Sequence, residues 1–169
     1  MIRKVTGNLL EADTEALVNT VNTVGIMGRG IALQFKQSFP ENYRAYLDAC
    51  ERKAFDIGMM LTFDLNRFEN PRYIINFPTK KHWQGNSRLE YIESGLKALA
   101  REIQRLKIRS IAMPPLGCGL GGLKWSEVYP LIAAELERLE GVDILVFEPV
   151  GAPKPERMKT ATDRPKMTP

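Results

Sequence analysis

Chemistry in this 169-residue sequence concentrates in three short stretches: VNTVNTVGIMGRGIALQF (residues 18–35), NFPTKKHW (76–83) and MPPLGCGLGGLKW (113–125). Lys80, in the middle stretch, is the candidate nucleophile. The like charge of Lys81 beside it, together with partial burial, lowers an amine's pKa and favours the neutral form that attacks carbon. As a cation the same group would instead stabilise a leaving base. On spacing alone a solvated surface Lys-Lys pair is the commoner outcome. Asn22, in the first stretch, carries an amide that can hydrogen-bond sugar hydroxyls and orient a reacting carbon, whereas Asn19 reads as structural, satisfying loop backbone.

The first and third stretches are bare. Gly25, Gly28 and Gly30 separate a buried apolar run from a helical pattern, and Gly117, Gly119, Gly121 and Gly122 crowd into six positions in the same context. Glycines let backbone amides approach a ligand closely, and a helix N-terminus offers unpaired N–H groups with partial positive charge. Each loop is a plausible anion cradle, and two on one sheet edge could grip a diphosphate from both sides. Plain tight turns remain the alternative. Gly117-x-Gly119-x-x-Gly122 also fits the dinucleotide fingerprint, but only one helix and one strand follow it, and the chain leaves no room for a substrate half.

His82, the single histidine, stands next to Trp83. The pair can stack on an unpaired base, or Trp83 can anchor its loop in the core. A thiol dyad of His82 with Cys118 or Cys50 is the weaker alternative, since a small buried residue suffices inside a glycine loop. Trp125 reads as core. One histidine and two separated cysteines build no metal site of ordinary spacing, and no cofactor is implied.

The elements that must hold these groups alternate. Ile2–Thr6, Ala16–Thr20, Met59–Phe63, Arg72–Phe77, Ser110–Met113 and Asp143–Phe147 read as strands; Gly30–Gln37, Glu41–Lys53, Arg88–Lys107 and Glu127–Glu140 read as helices. In the long helix Leu89, Ile92, Leu96, Leu99, Ile103 and Leu106 recur at helical spacing, and Ser87-x-x-Glu90 reads as a capping box. Strands alternating with helices predict a sheet covered on both faces, a three-layer α/β/α sandwich with a crevice at the strands' C-terminal ends. Lys80 would lie on a loop just past the fourth strand.

The length suits one domain with a full core. Net charge is +4, of which the stretch from Gly151 onward supplies +3 and the body +1, which argues against a wide duplex-binding surface and leaves room for a short nucleic-acid contact. Residues 1–150 read as the domain, and 151–169, with four prolines and no apolar periodicity, as a basic tail or linker. Two cysteines, no signal peptide and no long apolar run suggest free thiols, a cytoplasmic location and no membrane contact.

Taken together, TGNLLEADTEALVNTVN, GIMGRGIALQFK and LGCGLGGL resemble the macrodomain family over about residues 1–150. The resemblance implies a central mixed sheet of about six strands and ADP-ribose as ligand. GIMGRGIALQFK, FPTKKHW and PPLGCGLGGLKW are most similar to the DarG antitoxins, which remove ADP-ribose from DNA, and to the terminal ADP-ribose glycohydrolases. It implies Lys80 and Asn22 as catalytic groups, with attack by the amine at the anomeric carbon giving an open-chain imine. Ligand contacts are implied at Asn8, Leu9, Thr20, Val21, Asn22, Gly28, Gly30 and Ile31 in the N-terminal segments. Further contacts are implied at Thr79, Gly117, Cys118, Gly119, Leu120, Gly121 and Phe147. Lys81, His82 and Trp83 would touch DNA. Implied partners are ADP-ribosylated single-stranded DNA, with thymine as the modified base, and a DarT-like toxin that writes the modification. Two positions depart from the family. Asn8 stands where many macrodomains carry an aspartate on the adenine amino group, although its oxygen can accept the same bond or merely cap a turn. Gly121 stands where the terminal glycohydrolase has an acid, so another group replaces that acid or the lysine carries the reaction. A non-catalytic ADP-ribose reader, and a hydrolase of protein-linked or O-acetylated ADP-ribose, are the rival readings.

Overall fold

The computed structural model describes residues 1–149; the basic stretch 151–169 lies outside them. Six strands form one sheet: β1 (Ile2–Val5), β2 (Ala16–Asn22), β3 (Leu61–Asp64), β4 (Tyr73–Lys80), β5 (Ser110–Met113) and β6 (Asp143–Phe147). Their order is β1-β6-β5-β2-β4-β3, with every ladder parallel except β3–β4. The helices are α1 (Gly30–Ser38), α2 (Pro40–Glu51), α3 (Leu89–Arg105) and α4 (Trp125–Leu136).

Side chains that alternate along a strand go to opposite faces, and here the alternation builds two cores. Ala16 and Val18 of β2, Ile75 and Phe77 of β4, Ile111 and Met113 of β5, and Ile144 and Val146 of β6 pack with Ile92, Leu96, Leu99 and Ile103 of α3 and Val128 and Ile132 of α4. The interleaved Leu17, Ile74 and Ala112 pack on the other face with Leu9, Leu10 and Phe35. The α/β/α sandwich with a mixed six-stranded sheet is therefore present. Each fully buried aliphatic or aromatic side chain in it contributes roughly 1.5–3 kcal/mol. Fit is close where α3 crosses β4: a methyl group on Gly95 would run into the ring of Phe77.

Two local expectations need correction. β4 continues through Pro78 to Lys80 rather than ending at Phe77. Its antiparallel neighbour β3 ends its register at Asn76, so beyond that point β4 has a partner on one side only, where a strand tolerates proline. The capping box at Ser87 is not formed either. Arg88 is the N-cap of α3 and makes no side-chain cap bond, because Ser87 is drawn away beneath the second glycine loop.

Candidate functional site

The parallel strands deliver their C-terminal ends to one edge, and both glycine loops leave from it. Thr23 to Arg29 connect β2 to α1, and their shape is set by Asn22. Its side-chain oxygen accepts from Val24 N at 3.0 Å and Ile26 N at 3.3 Å, and its amide donates to Ile26 O at 2.7 Å. Tyr46 of α2, fully buried, accepts from Gly25 N at 3.2 Å and places its hydroxyl 2.7 Å from both oxygens of Asn22. Burial is the main reason that phenol titrates well above its ordinary range. Beneath the loop, Asn19 donates to Asn76 Oδ1 at 3.2 Å and lies 3.9 Å from Met27 Sδ. Asn19 is thus structural as expected, but through side chains rather than loop backbone. The first turn of α1 has no side-chain cap at its N-cap residue, Arg29, so its leading N–H groups have no cap partner.

The second loop runs from Pro114 to Lys124 and folds through a 3-10 turn at Gly119–Gly121. Leu123 N donates to Gly117 O and Gly122 N to Gly119 O, each at 3.0 Å. Gly119 is exposed and holds φ +68°, a conformation that side chains rarely adopt. The two loops meet: a methyl group on Gly30 would lie 3.6 Å from Leu120 Cδ1, and one on Gly121 4.0 Å from Lys80 Cε. The loops therefore meet at Gly30 and Leu120, and Lys80 reaches the second loop at Gly121.

Lys80 ends β4 and is half-buried. Its register partner across the ladder is Asn22, after a one-residue irregularity that leaves Thr79 unmatched. Bulges of this kind re-aim side chains beside active sites. Burial first, and then the charge of Arg29, lower the Lys80 amine below the usual lysine range. The expected cause, Lys81, is not the one that acts: its Nζ sits 5.8 Å from the centre of the Tyr91 ring instead. Thr23 Oγ1 donates to Lys81 O at 2.9 Å and ties the first loop to this segment.

His82 and Trp83 are stacked, with ring centres 5.8 Å apart, and Trp83 is 41% exposed. Trp83 therefore does not anchor the core. His82 Nδ1 accepts from Gln84 N at 3.2 Å. Burial pushes the Cys118 thiol up to about 11 and raises Cys50 as well, so both are neutral thiols near pH 7, unlike an activated dyad. Both cysteines are free. Trp125 is half-buried against the core. No cluster of three potential metal ligands occurs among the described residues, and no helix there is long and apolar enough to cross a membrane.

Leu9 and Phe147 are buried in one hydrophobic cluster, and Ile31 packs against that cluster. Asn8 caps the short 3-10 turn Leu9–Glu11 by accepting from Leu10 N at 3.0 Å, which uses part of the oxygen expected to meet adenine. Thr20 is half-buried, and Val21 and Thr79 are buried at the ends of β2 and β4. Tyr46, Arg29 and Ser87 belong to this edge but were not singled out from the sequence as site residues. Arg29 sat in plain view within GIMGRG, whereas nothing in the pattern around Tyr46 marks it as the brace of a loop from another element.

A sandwich with two glycine loops at one strand edge fits a macrodomain, and the chain belongs to that family: the Macro domain model matches residues 18–132. Within it, the chain is 57% identical over all 169 residues to the DNA ADP-ribosyl glycohydrolase of Thermus aquaticus. It is 51% identical over 151 residues to the protein of the same name from Mycobacterium tuberculosis. It spans about half the length of these curated relatives, 47% and 43%. The solved macrodomain of Thermus aquaticus DarG superposes with a TM-score of 0.86 at 60% identity, covering 88% of this chain and 99% of that one. The Thermosipho africanus DarTG structure in complex with ADP-ribose superposes with a TM-score of 0.84 at 32% identity, covering 96% of this chain and 45% of the other.

Proposed function

We propose that the chain is a glycohydrolase domain that cleaves the N-glycosidic bond between ADP-ribose and a nucleobase of single-stranded DNA, thymine being the base. The observation that carries this reading is Lys80: an amine with a depressed pKa at the end of a central strand, beside both glycine loops. The high identity to DNA ADP-ribosyl glycohydrolases supports the same assignment.

In this reading the diphosphate lies across the loops. Backbone N–H groups at Gly28 and Gly30 and at Gly117, Gly119 and Leu120, with the uncapped end of α1, supply the hydrogen bonds and partial positive charge that an anion needs, while Cys118 N and Gly121 N donate within the loop. Leu9, Ile31 and Phe147 take the apolar side of the adenosine, with Asn8 at its amino group. Thr20, Val21 and Thr79 line the floor, and Cys118 and Leu120 the loop wall. Asn22 has most of its side chain engaged in shaping the loop, and its second amide hydrogen is available to a ribose hydroxyl.

Lys80 then attacks the anomeric carbon. The bond to the base breaks, the base leaves with a proton, and the lysine nitrogen becomes an imine on the opened sugar. Water hydrolyses the imine and returns the amine. His82 and Trp83 offer an exposed aromatic surface for a neighbouring base, worth roughly 1–3 kcal/mol per stacked base, and Lys81 a phosphate contact. A DarT-like toxin is the partner that would write the modification, consistent with the fused DarTG relative.

The test is a two-substrate assay in which the protein is incubated with thymine-ADP-ribosylated single-stranded DNA and, separately, with ADP-ribosylated protein. Release of label from DNA alone is expected. Tight ADP-ribose binding with no release from either would make the chain a reader, and release only from protein would move the activity to the other hydrolase class.

A further inference from the structure

Ser87 is 5% exposed, and its hydroxyl oxygen is buried with no hydrogen-bond partner. It lies just before α3, and its backbone N–H donates to Gly121 O at 3.0 Å, which pins it under the second loop. A methyl group on Gly121 would stand 2.6 Å from Ser87 Oγ and 4.0 Å from Lys80 Cε, so the hydroxyl and the lysine border the same small space.

Gly121 itself points to the purpose of that space. Its neighbours Gly119 and Gly122 hold φ values of +68° and +82°, which favour glycine by backbone alone, but Gly121 does not lie in that region. The missing side chain there makes room rather than a turn. What fills the room is the Ser87 hydroxyl from one side and the end of the Lys80 stem from the other.

We infer that Ser87 is a positioning residue for Lys80, its hydroxyl oxygen accepting a hydrogen bond from Lys80 Nζ and holding the amine between the two loops. The lysine nitrogen is one bond beyond Cε on a flexible stem, and a swing toward the hydroxyl satisfies a buried oxygen that is otherwise costly to leave unpaired. Arg29 repels Lys80, and the adjacent Lys81 is turned to Tyr91. The inference rests on Lys80 as the reacting group and adds what fixes its direction.

The experiment uses Ser87→Ala and, to push the hydroxyl aside without removing it, Gly121→Ala. The Cε resonance of Lys80, assigned with Lys80→Arg, is titrated by NMR in the absence of any substrate. Losing an acceptor that favours the cation should move the titration of both variants to lower pH, by about half a unit or more. On ADP-ribosylated DNA, Ser87→Ala should lower kcat about tenfold, with KM and ADP-ribose affinity within about twofold of the parent. Unchanged titration in both folded variants overturns the inference, as does a loss confined to ADP-ribose affinity, which would make the hydroxyl a ligand contact. If the parent protein releases nothing from DNA, the glycohydrolase reading fails while the titration still decides the Ser87–Lys80 bond.

Discussion

Asn22 and Lys80 are register partners at the C-terminal ends of β2 and β4, brought level by the unmatched Thr79. Each has a distinct task at that level. Asn22 spends its oxygen on Val24, Ile26 and Tyr46, so it shapes the first loop, while Lys80 has an amine made less basic by burial and by Arg29. In the proposed function, binding geometry and reactivity thus fall to neighbouring residues on adjacent strands.

Replacing Lys80 should separate the two tasks. Lys80→Ala is expected to leave ADP-ribose affinity within a few fold, measured by calorimetry, and to cut release from ADP-ribosylated DNA by roughly a hundred-fold or more. Lys81→Ala should do far less. Borohydride added during turnover should trap an adduct that peptide mapping places on Lys80; full activity without an adduct would leave the lysine an electrostatic role. Normal turnover by Lys80→Ala would remove the residue from the mechanism.

The pH profile follows from the direction of the Lys80 shift. In the proposed mechanism the neutral amine attacks, so the rate should climb with pH through a midpoint below the usual lysine value of 10.5 and then level off. Arg29 is the second cause of the depression, so Arg29→Ala should move the rising limb to higher pH. The same shift has a stability consequence of fixed sign. Between the folded and unfolded pKa the folded chain binds fewer protons at this site, so its contribution to stability rises with pH across that window. A rate that falls over the same range would contradict attack by this amine.

Gly119 tests the second loop by conformation rather than by space. Nothing lies within 4 Å of a methyl group there, so the cost of substitution is its φ of +68°. Gly119→Val should force the loop out of shape, at about 1–3 kcal/mol of strain, and abolish calorimetric binding of ADP-ribose. Asn tolerates this region, and Gly119→Asn should keep the fold and more of the affinity. Equal binding by the folded Val variant and the parent would show that the diphosphate lies elsewhere.

Tyr46 tests the first loop from behind. Tyr46→Phe keeps the ring and removes the hydroxyl, leaving Gly25 N unpaired and Asn22 without its brace. A loss of about 1–3 kcal/mol in unfolding free energy is expected. ADP-ribose affinity should fall with it, because the Asn22 geometry relaxes. Retained affinity at reduced stability would mean that the loop holds its form without Tyr46.

The sequence by itself determined the layers, because strand and helix periodicities are local: Leu89, Ile92, Leu96, Leu99 and Ile103 mark one helix face, and alternating residues in β2, β4, β5 and β6 mark two sheet faces. It also marked the two glycine loops and TKKHW, since composition at a strand–helix junction is visible without coordinates. Other features depended on what comes near in space. Pro78 read as a strand end because local propensity knows nothing of where a neighbouring strand stops, and β3 stops at Asn76. Ser87 read as a helix cap because the pull of Gly121, 34 positions along the chain, leaves no trace in a four-residue pattern. Tyr46, the level pairing of Asn22 with Lys80, and Arg29 as a source of the lysine's depressed basicity were likewise decided only by the tertiary structure. Hydrogen bonds and charges act over a few ångströms between segments that lie far apart in the chain, and packing alone sets which segments those are.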